Sequence, residues 1–214
     1  MAGNTTNSLG EQGNWELACR KLAYSDPVLG KLIREAGKGR LACRGEPFRT
    51  LVRSIIGQQI SVRAADSVWQ RFLKVCPDCT PSGIAQADFD SLGASGLSKR
   101  KAGYLKDLAF HFLERKIRPD HWTSMTDEEV IADLTQVKGI GRWTAEMFLI
   151  FNLLRPDVLP VDDVGLQKGI SRIYFSGNPV SRSDILQVAK SWRPWCTVAT
   201  WYLWRSLTPL PVEY

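Results

Sequence analysis

The chain is poor in the residues that build metal and redox centres. Its 214 residues hold two histidines and five cysteines. His111 and His121 are not spaced as a ligand pair. An odd number of thiols in a chain with no export signal favours the reduced state. Cys76-Pro77-Asp78-Cys79 has the CxxC spacing, but no second pair completes a zinc site and no βαβ pattern supports a thioredoxin-like role. A helix-ending turn holding two ordinary thiols is expected there. No apolar run reaches the about 18 residues of a membrane helix, so no membrane partner is expected. The N-terminus lacks a basic-then-apolar leader, which implies the cytoplasm, with nucleoid association in a bacterium. Stretches alternating with strand period are few.

What is present is helical periodicity. Apolar residues recur at helical spacing from Leu17 to Leu32, from Phe48 to Ile56 and from Ala64 to Leu73. Thr80-Pro81-Ser82-Gly83 reads as a loop, followed by a short helix over roughly Ile84 to Asp88; Ser91 to Gly96 then holds two glycines. Ser98 is an expected N-cap for a helix through Phe112, and Thr126-Asp127-Glu128-Glu129 reads as a capping box. Further helices follow Asp163, start near Ser183, and run from Trp192-Arg193-Pro194-Trp195 to the end. The fold class is all-α, with about ten helices. Residues 1–14 are polar and read as a flexible tail. Twenty-eight Lys and Arg against 22 Asp and Glu give +6, a balance that favours a polyanionic partner without establishing one.

The most informative stretch is Leu134 to Phe151. Gly139-Ile140-Gly141 lies between two apolar-periodic helices. The glycines permit positive φ and close approach of a phosphate. Their N–H groups, with those of the next helix's first turn, are donors at the positive end of a helix dipole. Ile140 should point inward. Lys138 and Arg142 add cations at the same spot. A plain interhelical turn is the other reading, because a lone GxG is a weak signal. Asp162 and Asp163 follow about twenty residues later, and either is suited to cap a helix.

Four blocks, FRTLVRSIIGQQIS, LSKRKAGYLKDLA, LTQVKGIGRWTAEMF and WRPWCTVATWYLW, together resemble the helix-hairpin-helix DNA glycosylase superfamily, marked by a hairpin, a Gly/Pro-rich loop and an aspartate. GIGRWTA is similar to the 3-methyladenine DNA glycosylase II branch. Lys138 departs from it, since proline is common there. The few residues before Phe48 imply the compact form without an N-terminal β-domain. The resemblance implies two helical lobes with the active-site cleft between them: 15–45 plus 155–214 carrying Asp163, and 46–154 with the hairpin at 134–151.

It further implies a monofunctional glycosylase that flips out alkylated purines (3-methyladenine, 7-methylguanine) and hydrolyses the N-glycosidic bond in base excision repair. By match, Asp163 is the catalytic carboxylate, which stabilises the oxocarbenium-like sugar. Trp143 stands where relatives that also cut the backbone have a Schiff-base lysine, so base removal alone is expected. Trp143 and Trp204 form an expected aromatic wall for a cationic base, worth about 0.5–2 kcal/mol, with Met147 and Phe48 as further substrate contacts. Gln58 and Gln59 match the wedge that fills the gap left by the flipped base. Ser61, Lys99, Lys138, Gly139, Gly141, Arg142 and Thr144 complete the expected DNA contacts. No cofactor is required, although backbone carbonyls of Thr135, Val137 and Ile140 match those that hold a Na⁺ or K⁺ in some members. No cysteine cluster follows Asp163, so the iron–sulfur branch is excluded. The expected partner is double-stranded DNA with alkylated bases, bound by a monomer. The competing class is a non-enzymatic helix-hairpin-helix protein that binds damaged or bent DNA; such a binder has no use for Asp163.

Overall fold

The computed structural model describes residues 8–10, 12–37 and 39–208. Every regular element among them is helical: α1 Gln12–Ser25, α2 Pro27–Ala36, α3 Pro47–Gly57, α4 Val62–Val75, α5 Pro81–Gln86, α6 Phe89–Ala94, α7 Lys99–Leu113, α8 Asp127–Thr135, α9 Arg142–Phe151, α10 Val164–Tyr174, α11 Arg182–Ala189 and α12 Cys196–Leu207. Single 3₁₀ turns occupy Pro119–His121 and Lys190–Trp192.

Local chemistry sets most of the starts. Asp26, Glu46 and Thr80 each precede a proline and accept a first-turn N–H. Such caps contribute about 1 kcal/mol each, and proline at the first position gives up an N–H that has no partner anyway. Ser98 caps α7, and the Thr126–Glu129 capping box is complete in both directions.

Elsewhere the elements differ from the sequence expectations. The two-glycine stretch from Ser91 to Gly96 is mostly α6, because Asp88 caps Ser91 N–H and outweighs the helix-weakening glycine at Gly93. The loop expected at Thr80-Pro81-Ser82-Gly83 is instead the capped start of α5, so the helix expected from Ile84 begins at Pro81. The helix expected from Ser183 starts one residue earlier, on a Ser181–Asp184 capping box. α12 begins at Cys196, just past Trp195. The tail expected over 1–14 ends sooner than that. Residues 1–7 lie outside the described residues, but Leu9 is buried and its N–H bonds the Leu154 carbonyl at 3.1 Å. Cys76 closes α4 and Cys79 follows in the left-handed region at φ 46. Both are buried free thiols, and burial pushes Cys79 up to about 11, which makes it a poor nucleophile.

The described residues fall into two compact units, one of residues up to Cys43 and from Leu149 onward, the other of Arg44–Phe148. The breaks expected from the sequence fall after 45 and after 154. The second break lies inside α9 instead, because Phe151 in its last turn stacks on Trp204 of α12, with ring centres 5.7 Å apart and 11° between planes.

In the first unit, Asp26 is a buried hub. Its Oδ1 accepts from Leu29 N–H; its Oδ2 accepts from Tyr174 hydroxyl at 2.7 Å, Trp192 indole N–H at 3.0 Å and Ser191 hydroxyl at 3.3 Å. A carboxylate taken out of water needs such donors. α10 lies close against α12. A Cβ added at Gly169 would come within 2.9 Å of Leu203 Cβ. The second unit is packed by aromatic pairs: Phe48 on Phe112, Trp69 on Phe72 and Trp122 on Phe148.

Candidate active site

The hairpin between α8 and α9 turns at Gly139, whose φ is 86. A Cβ there would lie 2.2 Å from the Tyr104 ring, so glycine is required twice over, by backbone angle and by space. Lys138 N–H donates to Asp107 Oδ2 at 2.8 Å and Ile140 N–H to Val137 carbonyl at 3.1 Å. Among the described residues none takes the N–H of Gly139 or Gly141. α9 starts directly after Gly141, which has no side chain to cap it. Two amides at a helix start therefore remain to meet an anion. Ile140 is buried beneath them, as expected. Lys138 keeps a side chain that is 78% exposed.

Several expected DNA contacts stand differently. Arg142 is not a loose cation. Its guanidinium pairs with both carboxylate oxygens of Glu128, and its Nε donates to Glu146 at 3.0 Å. These partners hold its pKa above the ordinary arginine value, the Glu128 bonds first. Thr144 is buried, which leaves its side chain no surface for a phosphate. Gln58 gives its amide N–H to the Gly139 carbonyl at 2.8 Å, so it braces the hairpin rather than reaching outward. Ser61 caps α4 by accepting from Ala64 N–H at 3.3 Å. Gln59 is exposed, with φ 60, at the tip between α3 and α4. Lys99 is exposed at the start of α7. Lys101, two residues on, turns inward and donates to the carbonyls of Ile56 and Gln58, each at 2.7 Å.

In the other unit Asp163 is the N-cap of α10 and is 4% exposed. Its Oδ1 accepts from Leu166 N–H at 2.6 Å and from Trp204 indole N–H at 2.7 Å. Two donors on one oxygen hold the carboxylate in a single orientation at the positive end of α10. Asp162, by contrast, is exposed and pairs with Arg182 at 2.9 Å. The adjacent aspartates thus divide: one is a surface ion pair, the other a buried, aimed carboxylate. Gly165, which sequence reasoning missed, makes this possible. A Cβ there would lie 2.9 Å from Trp204 Cδ1 and 3.0 Å from Asp163 Oδ1. A glycine two residues after the aspartate, inside a helix start, was the available signal.

The expected substrate contacts separate by burial. Trp204 is 2% exposed, stacked on Phe151 and bonded to Asp163; it positions the carboxylate and presents no open ring face. Phe48 is 2% exposed and sits edge-on to Phe112 at 4.9 Å, a core role in which truncation to alanine costs about 3–5 kcal/mol. Met147 is buried one helical turn beyond Trp143. Trp143 alone of the four shows substantial surface, at 37%.

Helices alone among the described regular elements, a glycine hairpin at one helix start and a buried carboxylate fixed by two donors at another together make a helix-hairpin-helix arrangement with a fixed aspartate. Comparison with known proteins agrees: the chain belongs to the HhH-GPD superfamily of base excision DNA repair proteins, whose family model matches residues 52–194. It is 34% identical over 182 residues to DNA-3-methyladenine glycosylase 1 of Schizosaccharomyces pombe, spanning 83% of this chain and 80% of that one. A DNA-3-methyladenine glycosidase from Bacillus halodurans superposes with a TM-score of 0.84 and 32% identity, covering 94% of this chain and 91% of the other. A Schizosaccharomyces pombe 3-methyladenine DNA glycosylase solved with abasic DNA gives 0.80 and 31%, over 92% of this chain and 100% of that one.

Proposed function

We propose that the chain is a monofunctional DNA glycosylase that extrudes alkylated purines of the 3-methyladenine and 7-methylguanine type from duplex DNA and hydrolyses their N-glycosidic bonds. Asp163 carries this reading. A helix cap alone needs only the Leu166 N–H bond; the second donor, the buried Trp204 indole, fixes the direction of the carboxylate, which a pure DNA binder does not need. In a glycosylase the same group faces the positive charge that grows on the sugar as the base departs, and it orients the attacking water. The relatives named above as 3-methyladenine glycosylases support the lesion class.

Gly139 and Gly141 amides and the Lys138 ammonium grip phosphates, which fixes register without reading sequence. Trp143 offers an indole face to a cationic base, and such a base is already a good leaving group. Tryptophan forms no Schiff base, so the reaction stops at the abasic site. The Val137 carbonyl already accepts from Ile140 N–H at 3.1 Å, but a carbonyl oxygen keeps a second lone pair, and neutral oxygens suit a hard monovalent cation. Thr135, Val137 and Ile140 are the residues that would hold a Na⁺ or K⁺, which would add a positive charge beside the bound phosphate.

The test uses duplexes carrying a single 7-methylguanine or 3-methyladenine, with released base measured by chromatography. Asp163→Asn keeps a good helix cap, so the fold is retained. Base release should fall by about 100-fold or more while affinity for abasic duplex is kept. Release at the wild-type rate from the Asn variant would sink the assignment.

A further inference from the structure

The segment between α3 and α4 is held in an unfavourable shape by two cations of α7: Arg100 reaches Gln59 Oε1 at 3.5 Å, and Lys101 binds the backbone at shorter range. α3 ends at Gly57, yet the residue in the left-handed region is not that glycine but Gln59, at φ 60. A side-chain-bearing residue stays there only when its surroundings enforce it. The carbonyls at the end of α3 also need donors. Lys101 answers both needs. Its Nζ reaches from α7 to the carbonyls of Ile56 and Gln58, on either side of Gly57. Burial, helped by the nearby Arg100, pulls this lysine below its ordinary pKa, which is why both carbonyl bonds matter to its charged form. With the backbone of Gln58 fixed, its amide meets the Gly139 carbonyl at 2.8 Å.

The same helix holds the hairpin. Tyr104, one turn beyond Lys101, fills the space beneath Gly139, and Asp107, one turn further, takes Lys138 N–H. Loop and hairpin are therefore one fixture built on α7. Gln59 and Ile60 are left exposed at its tip. A group that fills the gap behind an extruded base works only if its position is already set, since ordering it during extrusion subtracts from the gain.

We infer that Lys101 is a positioning residue for base extrusion, holding the loop at 57–61 so that Gln59 and Ile60 enter the base stack while the hairpin holds the phosphates. This rests on the glycosylase reading above. A role in extrusion matters for a paired target and little for one that is already unpaired, whereas a merely structural role affects both.

Single-turnover release of 7-methylguanine is measured from a fully paired duplex and from the same lesion in a five-base bubble. Lys101→Met should slow release from the duplex by about 10-fold or more, and from the bubble by less than about 3-fold. Lys101→Arg, which can still bridge two carbonyls, should recover most of the duplex rate. Gln58→Leu, which removes only the bond to Gly139, should show a smaller loss confined to the duplex, and it carries the test if Lys101→Met does not fold. Equal slowing on both substrates, or none on the duplex, overturns the inference. A wild-type protein that releases base from neither substrate overturns the glycosylase reading instead.

Discussion

α9 and α10 begin about twenty residues apart, and their first turns are finished in opposite ways. α10 is closed by its own Asp163, whose oxygen takes a first-turn N–H and the Trp204 indole. α9 follows a glycine, and among the described residues no backbone acceptor takes the Gly139 or Gly141 N–H. The same physical feature, donors at the positive end of a helix, aims a carboxylate in one place and in the other is available to the anion proposed above. What separates the two is the residue before the helix. An aspartate fills the position with a fixed carboxylate; a glycine leaves it without a side chain.

The comparison breaks most completely at Gly139. Alanine there must adopt φ near 86 and push into the Tyr104 ring, 2.2 Å from its Cβ. A cost of roughly 2–4 kcal/mol follows from strain and overpacking. Thermal melting should show a midpoint lower by roughly 5–15 °C, and duplex affinity should fall with it. Changes at the other helix start should leave binding alone and slow chemistry. Trp204→Phe keeps a ring to stack on Phe151 but loses the indole donor to Asp163. A charge-assisted bond of about 1.5–3 kcal/mol translates into base release slower by about 10- to 100-fold. Gly165→Ala should displace the same indole by steric pressure and cost about 10-fold in release at unchanged affinity for abasic duplex. If either change weakens binding as much as release, the division of labour between the two helix starts is wrong.

The contrast was legible in part from sequence, and the limit is one of distance along the chain. Ser98, Thr126 and the capping aspartate act on N–H groups three residues away, so local pattern finds them. The Arg142–Glu146 pair lies within one helical turn and was readable in RWTAE, but Glu128 is 14 residues back in another helix, and its bonds tie Arg142 to the scaffold. Gln58 looked like a DNA contact because its acceptor, Gly139, lies 81 residues on. Trp204 looked like a wall because the aspartate that takes its N–H is 41 residues away. Residue type announces a polar or aromatic group; only the fold decides whether its valence is already taken. Lys101 shows the converse, a lysine in a basic run whose charge is turned inward.

A smaller effect sharpens the grip itself. Lys138 is the cation of the hairpin that stays exposed, 3.9 Å from Asp107, whereas Arg142 is tied to two glutamates. Lys138→Gln should lower the slope of log affinity against log salt by about 1, with little change in the release rate of bound substrate. Arg142→Gln should leave that slope nearly unchanged and act through stability instead. Equal slopes for wild type and Lys138→Gln would remove this lysine from the interface.

The smallest expected effect is at Trp143, in the first turn of α9, where the two halves of the comparison meet in sequence. Replacing it with lysine supplies the amine that lyase relatives use, yet a nucleophilic lysine must also lose its proton near neutral pH. That requires burial or neighbouring cations to depress its pKa. The position is 37% exposed, and the adjacent cation, Arg142, is already neutralised by Glu128 and Glu146. Trp143→Lys should therefore give no strand cleavage and no borohydride-trapped adduct with abasic DNA. It should retain base release, with preference for a cationic over a neutral base reduced by about 3- to 10-fold through loss of the indole face. A trapped adduct would show that the site already tunes an amine, and that tryptophan alone separates base removal from strand cleavage in this chain.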